Sequence, residues 1–272
     1  MSDAAIQLHD VRRREADGRW SERADRLTVE EPLELRIGGR PFVAIMRTPG
    51  DDEALARGFL LTEGVARNID DIRRIERAVD REGRPEPNAL EIELSEGAPF
   101  DPAEQERRFF ASSSCGICGK ASIEQVVRRA APLKGDWRID ARVALALPEK
   151  LRARQPLFDA TGSLHAAGLF DLRGEAIESA EDVGRHNAVD KAIGRAAARG
   201  LLPLDGALLA VSGRISFEIA QKALMAGVAA IVAVSGASSL AVALAEDQGM
   251  TLAGFVRDGA MTVYHGAWRF ES

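Results

Sequence analysis

The sequence predicts an α/β chain whose N-terminal part is a small α+β unit. Two observations carry this. Residues 32–46 read as a strand hairpin, followed by a helix and a further strand; residues 206–248 read as two apolar strands, each followed by a helix. Hairpin, helix and returning strand is the order of a β-grasp roll. Apolar strands that each feed a helix pair in parallel through helical crossovers.

The elements follow in chain order. Residues 1–26 are dense in Asp, Glu and Arg, so no secretory signal is expected there. Leu33, Leu35 and Ile37 alternate with Glu34 and Arg36, the period of a half-buried strand. Gly38 and Gly39 supply the positive φ of a tight turn, and a second strand runs to Met46. Residues 49–52 cap a helix over 53–63, with Leu55, Phe59 and Leu60 on one face and Gly64 as its stop. Residues 88–94 alternate again as a strand, while 81–87 and 97–102 read as loops. Ser122 and Gln125 have capping-box spacing for a short helix over 123–130, and 132–156 reads as a bridge.

In the second half a short helix is expected over 163–167, then strands at 168–172 and 176–179. A helix over 187–198 is stopped by Gly200. Strand 206–212 leads into helix 217–226, strand 229–235 into helix 240–248, and strands at 251–257 and 261–264 close the chain. The expected division is a small N-terminal domain at 27–106, a cysteine-bearing bridging segment at 107–156 and a second domain at 157–272.

Composition narrows the function. Of 272 residues, 46% are hydrophobic and 29% charged, an ordinary globular balance. A net charge of −6 and an aromatic content of 5% argue against nucleic-acid partners. The longest apolar run, 223–234, is too short to span a bilayer. Two cysteines make no disulfide scaffold and suit the cytoplasm.

Those cysteines, Cys115 and Cys118, lie between small residues and glycines, an accessible setting, with Lys120 close enough in sequence to favour a thiolate. Three chemistries use such a pair. Disulfide exchange places it in a thioredoxin-like βαβ unit, and no strands flank it here in that way. A zinc half-site needs two more ligands, and His9, His165, His186 and His265 lack knuckle spacing. A sulfur carrier, holding a persulfide in an exposed loop, fits best.

Three further features stand out. Ser212-Gly213-Arg214-Ile215-Ser216 and Ser235-Gly236 each end an apolar strand and open a helix, where free N–H groups receive phosphate; plain helix capping explains them equally. Neither a dinucleotide fingerprint nor a P-loop is present. Residues 181–191 crowd six ionisable groups, usually a solvated face, although Arg185, His186 and Asn187 can donate to phosphate or a purine edge. His165 matches part of a nucleotide-deaminase zinc site, but Ala167 stands where the required Glu belongs, so a buried, hydrogen-bonded core histidine is the plainer expectation.

Over 32–268 the chain resembles the FdhD family of formate dehydrogenase accessory sulfurtransferases. The resemblance rests on Arg47-Thr48-Pro49-Gly50, on residues 58–64 and 113–119, on Phe158-Asp159-Ala160-Thr161-Gly162 with His165, on residues 181–187, and on Ser212-Gly213-Arg214 with Ser216. It implies a cytidine-deaminase-like three-layer α/β/α second domain and a cytoplasmic homodimer with neither nucleic-acid nor membrane partner and no resident metal. The implied activity is that of a sulfurtransferase. It takes sulfane sulfur from a cysteine desulfurase as a persulfide and passes it to molybdenum bis(molybdopterin guanine dinucleotide) cofactor, as formate dehydrogenase requires.

By the same resemblance Cys115 bears the persulfide, with Cys118 as its partner. Phe255, Val256, Arg257, Asp258, Gly259 and Ala260 match a cofactor-binding stretch in which Ala260 replaces a basic residue. Together with Ser212, Gly213, Arg214, Ser235, Gly236, Arg185 and His186, these are the expected contacts to a guanine nucleotide, and GDP-like ligands are expected to bind. The rival readings are a non-catalytic chaperone of the same cofactor and a zinc-stapled structural dimer.

Overall fold

A computed structural model describes residues 3–100, 130, 133 and 135–271. Cys115, Cys118 and the helix expected over 123–130 lie outside the described residues.

The chain opens with a two-stranded ribbon, β1 (Ile6–Arg14) and β2 (Trp20–Thr28), paired antiparallel. Its sequence carries no apolar period because almost none of it faces a core, and it lies ahead of residue 27, where the small N-terminal domain is expected to begin.

Next, β3 (Glu31–Ile37), β4 (Arg40–Arg47), α1 (Asp52–Thr62), β5 (Ile72–Val79) and β6 (Pro85–Leu94) build the β-grasp unit. Its sheet has the order β4-β3-β6-β5, with β3 and β6 parallel at the centre. Gly38 and Gly39 both take positive φ in the hairpin turn. Leu33, Leu35, Leu90 and Ile92 meet Leu55, Phe59 and Leu60 of α1 in one apolar cluster. β6 begins at Pro85, inside the expected loop at 81–87.

The rest forms three layers. The central sheet has the order β13-β12-β11-β10-β8-β9, from β8 (His165–Phe170), β9 (Ala176–Asp182), β10 (Leu208–Val211), β11 (Ala230–Ala233), β12 (Thr251–Arg257) and β13 (Ala260–His265). β10, β11 and β12 run parallel, as apolar strands with helical crossovers must. Alternate side chains face opposite layers. Leu209, Val211, Ile231 and Ala233 meet α4 (Arg185–Ala198), α5 (Phe217–Met225) and α6 (Ser239–Gln248). Leu208, Ala210, Ala230 and Val232 meet α2 (Ala141–Arg152). The expected α/β/α domain is therefore present.

Two expectations in this half are corrected. Residues 132–156 are not simply a bridge: β7 (Ile139–Asp140) pairs with β14 (Phe270–Glu271), and α2 presents Ala144, Leu147 and Leu151 as the second outer layer. The helix expected over 163–167 falls earlier, as α3 (Pro156–Thr161), because Pro156 starts it and Gly162, at φ 70°, ends it; His165 already begins β8.

The two units are locked together by α1 and α4. Gly58 and Gly194 lie at their crossing, where an added methyl would fall 1.9 Å from a carbonyl oxygen of the opposite helix. Glycine is required there by close approach, not by turn geometry.

Candidate functional site

The parallel strands β10, β11 and β12 end together, and the two Ser-Gly turns lie side by side at that edge. They are laced by their own backbone: Ile215 N–H donates to Gly236 O at 3.0 Å, and Ser238 N–H to Ile215 O at 2.9 Å. Gly213 lies beside the His165 ring and the Arg185 side chain, which a methyl there would touch at ordinary van der Waals distances of 3.6 Å and 3.9 Å. At the far side Phe255 lies over Gly236. A methyl on Gly236 would meet the Phe255 ring at 2.9 Å and the Tyr264 hydroxyl at 3.1 Å.

Phe255 is held in an unusual way. It takes φ +51° at a bulge in β12, its N–H donates to Ser235 O at 3.1 Å, and its ring is 45% exposed. A left-handed bulky residue costs roughly 1–2 kcal/mol, so the fold maintains this posture against strain, as ligand-contacting residues often require. Asp258 and Gly259, both at positive φ, turn the chain into β13. Arg257, Asp258, Gly259 and Ala260 are exposed, as is Arg214.

Not every expected residue faces this edge. Val256 is buried among the residues under α2, because next to the bulge its side chain points into the sheet's opposite face. Ser212 uses its hydroxyl to accept from Ala166 N–H at 2.9 Å, binding the turn to β8. Asn187 donates to Met46 O and to Asp182 Oδ1, so it is committed to the scaffold rather than to a purine edge.

The run 181–191 is not a solvated face. Asp182, Asp190 and Lys191 are buried. Asp182 accepts from Thr48 N–H at 3.1 Å and pairs with Lys191 at 2.7 Å, while Lys191 also donates to Thr48 O. Asp190 accepts from Thr62 at 2.7 Å and from Lys222 at 2.9 Å, and Lys222 pairs with Glu63 as well. The motifs at 47–50, 58–64 and 181–191 thus meet each other and fasten the β-grasp unit to the α/β/α layers. Burial opposes the Lys222 charge, but the Asp190 and Glu63 carboxylates prevail and raise its pKa.

Arg185 and His186, at the start of α4, do turn toward the edge. Among the described residues, Arg185 Nε is buried without a hydrogen-bond partner. Burial, then the neighbouring Arg185 charge, lowers the His186 pKa to about 4. The same two causes lower that of His165. His165 is only half-buried, and among the described residues its ring makes no hydrogen bond, so it is an edge residue rather than a core one. Both imidazoles are neutral at pH 7 and can donate as well as accept. His186 Nε2 lies 3.5 Å from Ser216 Oγ and 3.9 Å from a Glu218 carboxylate oxygen. Sequence reasoning passed over Glu218 and Tyr264; that Tyr264 is the chain's single tyrosine was the one available signal.

The edge combines two helix-opening turns, an arginine with a donor unmet among the described residues, two imidazoles and an exposed aromatic ring. The fold defines an α/β protein whose candidate ligand edge lies at the carboxyl ends of its parallel strands. A sequence model of the FdhD/NarQ family matches residues 28–271, and the chain belongs to that family. It is 47% identical to the sulfur carrier protein FdhD of Streptomyces avermitilis, covering 93% of this chain and 92% of that one. It is 46% identical to the protein of the same name from Mycobacterium tuberculosis, over 91% and 92%. The crystal structure of a candidate formate dehydrogenase accessory protein from Desulfotalea psychrophila has the same fold, with a TM-score of 0.75 at 23% identity, covering 98% of this chain and all of that one.

Proposed function

We propose that this chain is a cytoplasmic sulfur carrier serving formate dehydrogenase. The Cys115 thiolate attacks the outer sulfur of a cysteine desulfurase persulfide. A sulfur–sulfur bond forms on Cys115, the donor's sulfur–sulfur bond breaks, and the donor cysteine leaves as a thiolate. The outer sulfur is then passed to the molybdenum bis(molybdopterin guanine dinucleotide) cofactor as substrate: the Cys115 sulfur–sulfur bond breaks, Cys115 leaves as a thiolate, and the acceptor metal supplies the two electrons that bring the sulfur to the sulfide level. Its guanine and phosphates are received at the β10–β12 edge, by the turns at Ser212 and Ser235, by Arg185 and His186, and by Phe255 with Arg257. The observation that carries this reading is the near-full-length similarity to proteins named sulfur carrier. The solvent-facing Phe255, and Arg185 Nε, which has no hydrogen-bond partner among the described residues, support a site for the cargo's base and phosphate at this edge.

Intact mass after incubation with a desulfurase and cysteine tests the carrier step: one added sulfur atom is expected on the parent chain. Calorimetry with GDP against ADP tests the edge, with GDP the tighter ligand. No added sulfur, with GDP still bound, would replace the carrier by a cofactor chaperone.

A further inference from the structure

Helices α4 and α5 hold two rungs of ionisable groups between them. His186 and Asp190 lie one turn apart on α4, and Glu218 and Lys222 one turn apart on α5. The inner rung is a closed ion pair, with Lys222 Nζ 2.9 Å from Asp190 Oδ2. The outer rung, at the ligand edge, is one proton short of the same thing. His186 Nε2 lies 3.9 Å from a Glu218 carboxylate oxygen and 3.5 Å from Ser216 Oγ. Burial opposes the Glu218 charge, but its own backbone N–H and the Ser216 hydroxyl hydrogen-bond the carboxylate and lower its pKa, so it is ionised at neutral pH.

The groups around His186 account for the missing proton. Burial disfavours the imidazolium first. Arg185 beside it and Lys222 on α5 repel it, while Glu218, and Glu63 at the end of α1, attract it. Arg185 Nε is buried without a hydrogen-bond partner among the described residues, and its side chain lies along the turn at Gly213. An anion received there would offset the Arg185 charge and add an attraction of its own. An opposite charge within about 4–6 Å favours the charged form of a titrating group.

We propose that His186 takes up a proton when an anionic phosphate binds beside Arg185, and that the imidazolium then closes onto Glu218. The proton comes from solvent and goes to the bare ring nitrogen; no bond between heavy atoms changes. The outer rung becomes a second ion pair like the inner one, so the phosphate ties the start of α4 to the start of α5. The His186 pKa is about 4 in the free chain and higher in the complex. Between the two values binding consumes a proton and tightens as pH falls; below both, no further gain remains. The inference rests on the reading that this edge receives a nucleotide's phosphates, and not on sulfur transfer at Cys115.

The test is proton NMR of the histidine rings in the full chain between about pH 5 and 8, with calorimetry alongside to establish that GDP is bound. The chain has four histidines, and His186→Gln identifies its signal by the loss. In the free chain that signal should sit near the position of neutral imidazole throughout this range. Saturating GDP should raise its midpoint by about one unit or more, and Glu218→Gln should cut the rise by about half. GDP affinity should also gain more on acidification in the parent than in His186→Gln; the titration of the phosphate itself is common to both and cancels. A midpoint unmoved by bound GDP would overturn the proposal and leave the nucleotide reading standing. An undiminished rise in Glu218→Gln would overturn the pairing with Glu218. GDP that does not bind at all would overturn the nucleotide reading, and this inference with it.

Discussion

Gly58 of α1 and Gly194 of α4 form a helix crossing so close that each occupies the space in which the other helix's backbone would meet a side chain. A methyl on Gly58 would lie 1.9 Å from Asp190 O, and one on Gly194 the same distance from Ala54 O. Gly58→Ala gains about 1 kcal/mol of helix propensity, but the backbones must part to admit it. The expected outcome is a net loss of about 2–3 kcal/mol, read as a fall of roughly 5–10 °C in the melting midpoint. Gly97→Ala, where an added methyl would meet nothing within 4 Å among the described residues, serves as the control and should be nearly neutral.

Beside that crossing, Lys222 holds Asp190, Glu63 and Thr62 together. Lys222→Met removes the cation that, among the described residues, pairs with buried Asp190 and should cost about 3–5 kcal/mol in chemical denaturation. Lys222→Met joined to Asp190→Leu should cost clearly less than the single change, because no charge is then left unpaired. Equal losses would mean that packing, not charge compensation, governs the site.

What could be read from the sequence divides along burial. Strands β3 and β10 and helices α1 and α5 announce themselves because one face is apolar at the right period. Strand β5 does not: Arg73, Arg74, Glu76 and Arg77 break the alternation, and Arg73 instead pairs across the sheet with Glu93. The charges of 181–191 were legible as a cluster but not as buried ones, since Asp182 finds Thr48 at a separation of 134 residues. Helix α2 carries Ala144, Leu147 and Leu151 at helical spacing, but Pro148 interrupts the signal. At the ligand edge the Ser-Gly turns were legible as local motifs; the postures of Phe255 and His165 follow only from the folded sheet.

His186 makes the pH response specific. Its pKa falls from an ordinary 6.5 to about 4, through burial and then Arg185. The unfolded chain therefore takes up this proton first as pH drops, and native stability present above pH 6.5 is lost toward pH 4. Discounted for its partial exposure, the contribution is about 2 kcal/mol. His186→Gln should flatten the stability profile in that window relative to the parent, measured by urea denaturation at several pH values. Parallel profiles would show that folding leaves the His186 pKa unshifted.

Phe255 separates binding from stability. Phe255→Gly relieves a positive φ while losing a ring that is 45% exposed, so stability should change by less than about 1 kcal/mol. If the ring stacks on guanine, the change removes about 1–3 kcal/mol of base contact. GDP affinity by calorimetry should then fall about tenfold or more. Unchanged affinity would remove Phe255 from the nucleotide site.

The two cysteines should prove unequal. A carrier needs one nucleophile that takes the outer sulfur from a donor persulfide and then yields it, and Cys115 is the residue proposed for that role. A hydroxyl cannot carry a sulfane sulfur, so Cys115→Ser should abolish sulfur loading and the activation of formate dehydrogenase. The transfer chemistry requires no second thiol, although Cys118 can release or protect the bound sulfur by exchange; Cys118→Ser should therefore retain partial loading. The measurements are intact mass after desulfurase treatment, and dehydrogenase activity in a strain that depends on the variant. Full activity with Cys115→Ser would sink the carrier mechanism. Complete loss from both variants, with zinc in the purified protein, would favour a metal staple shared between subunits.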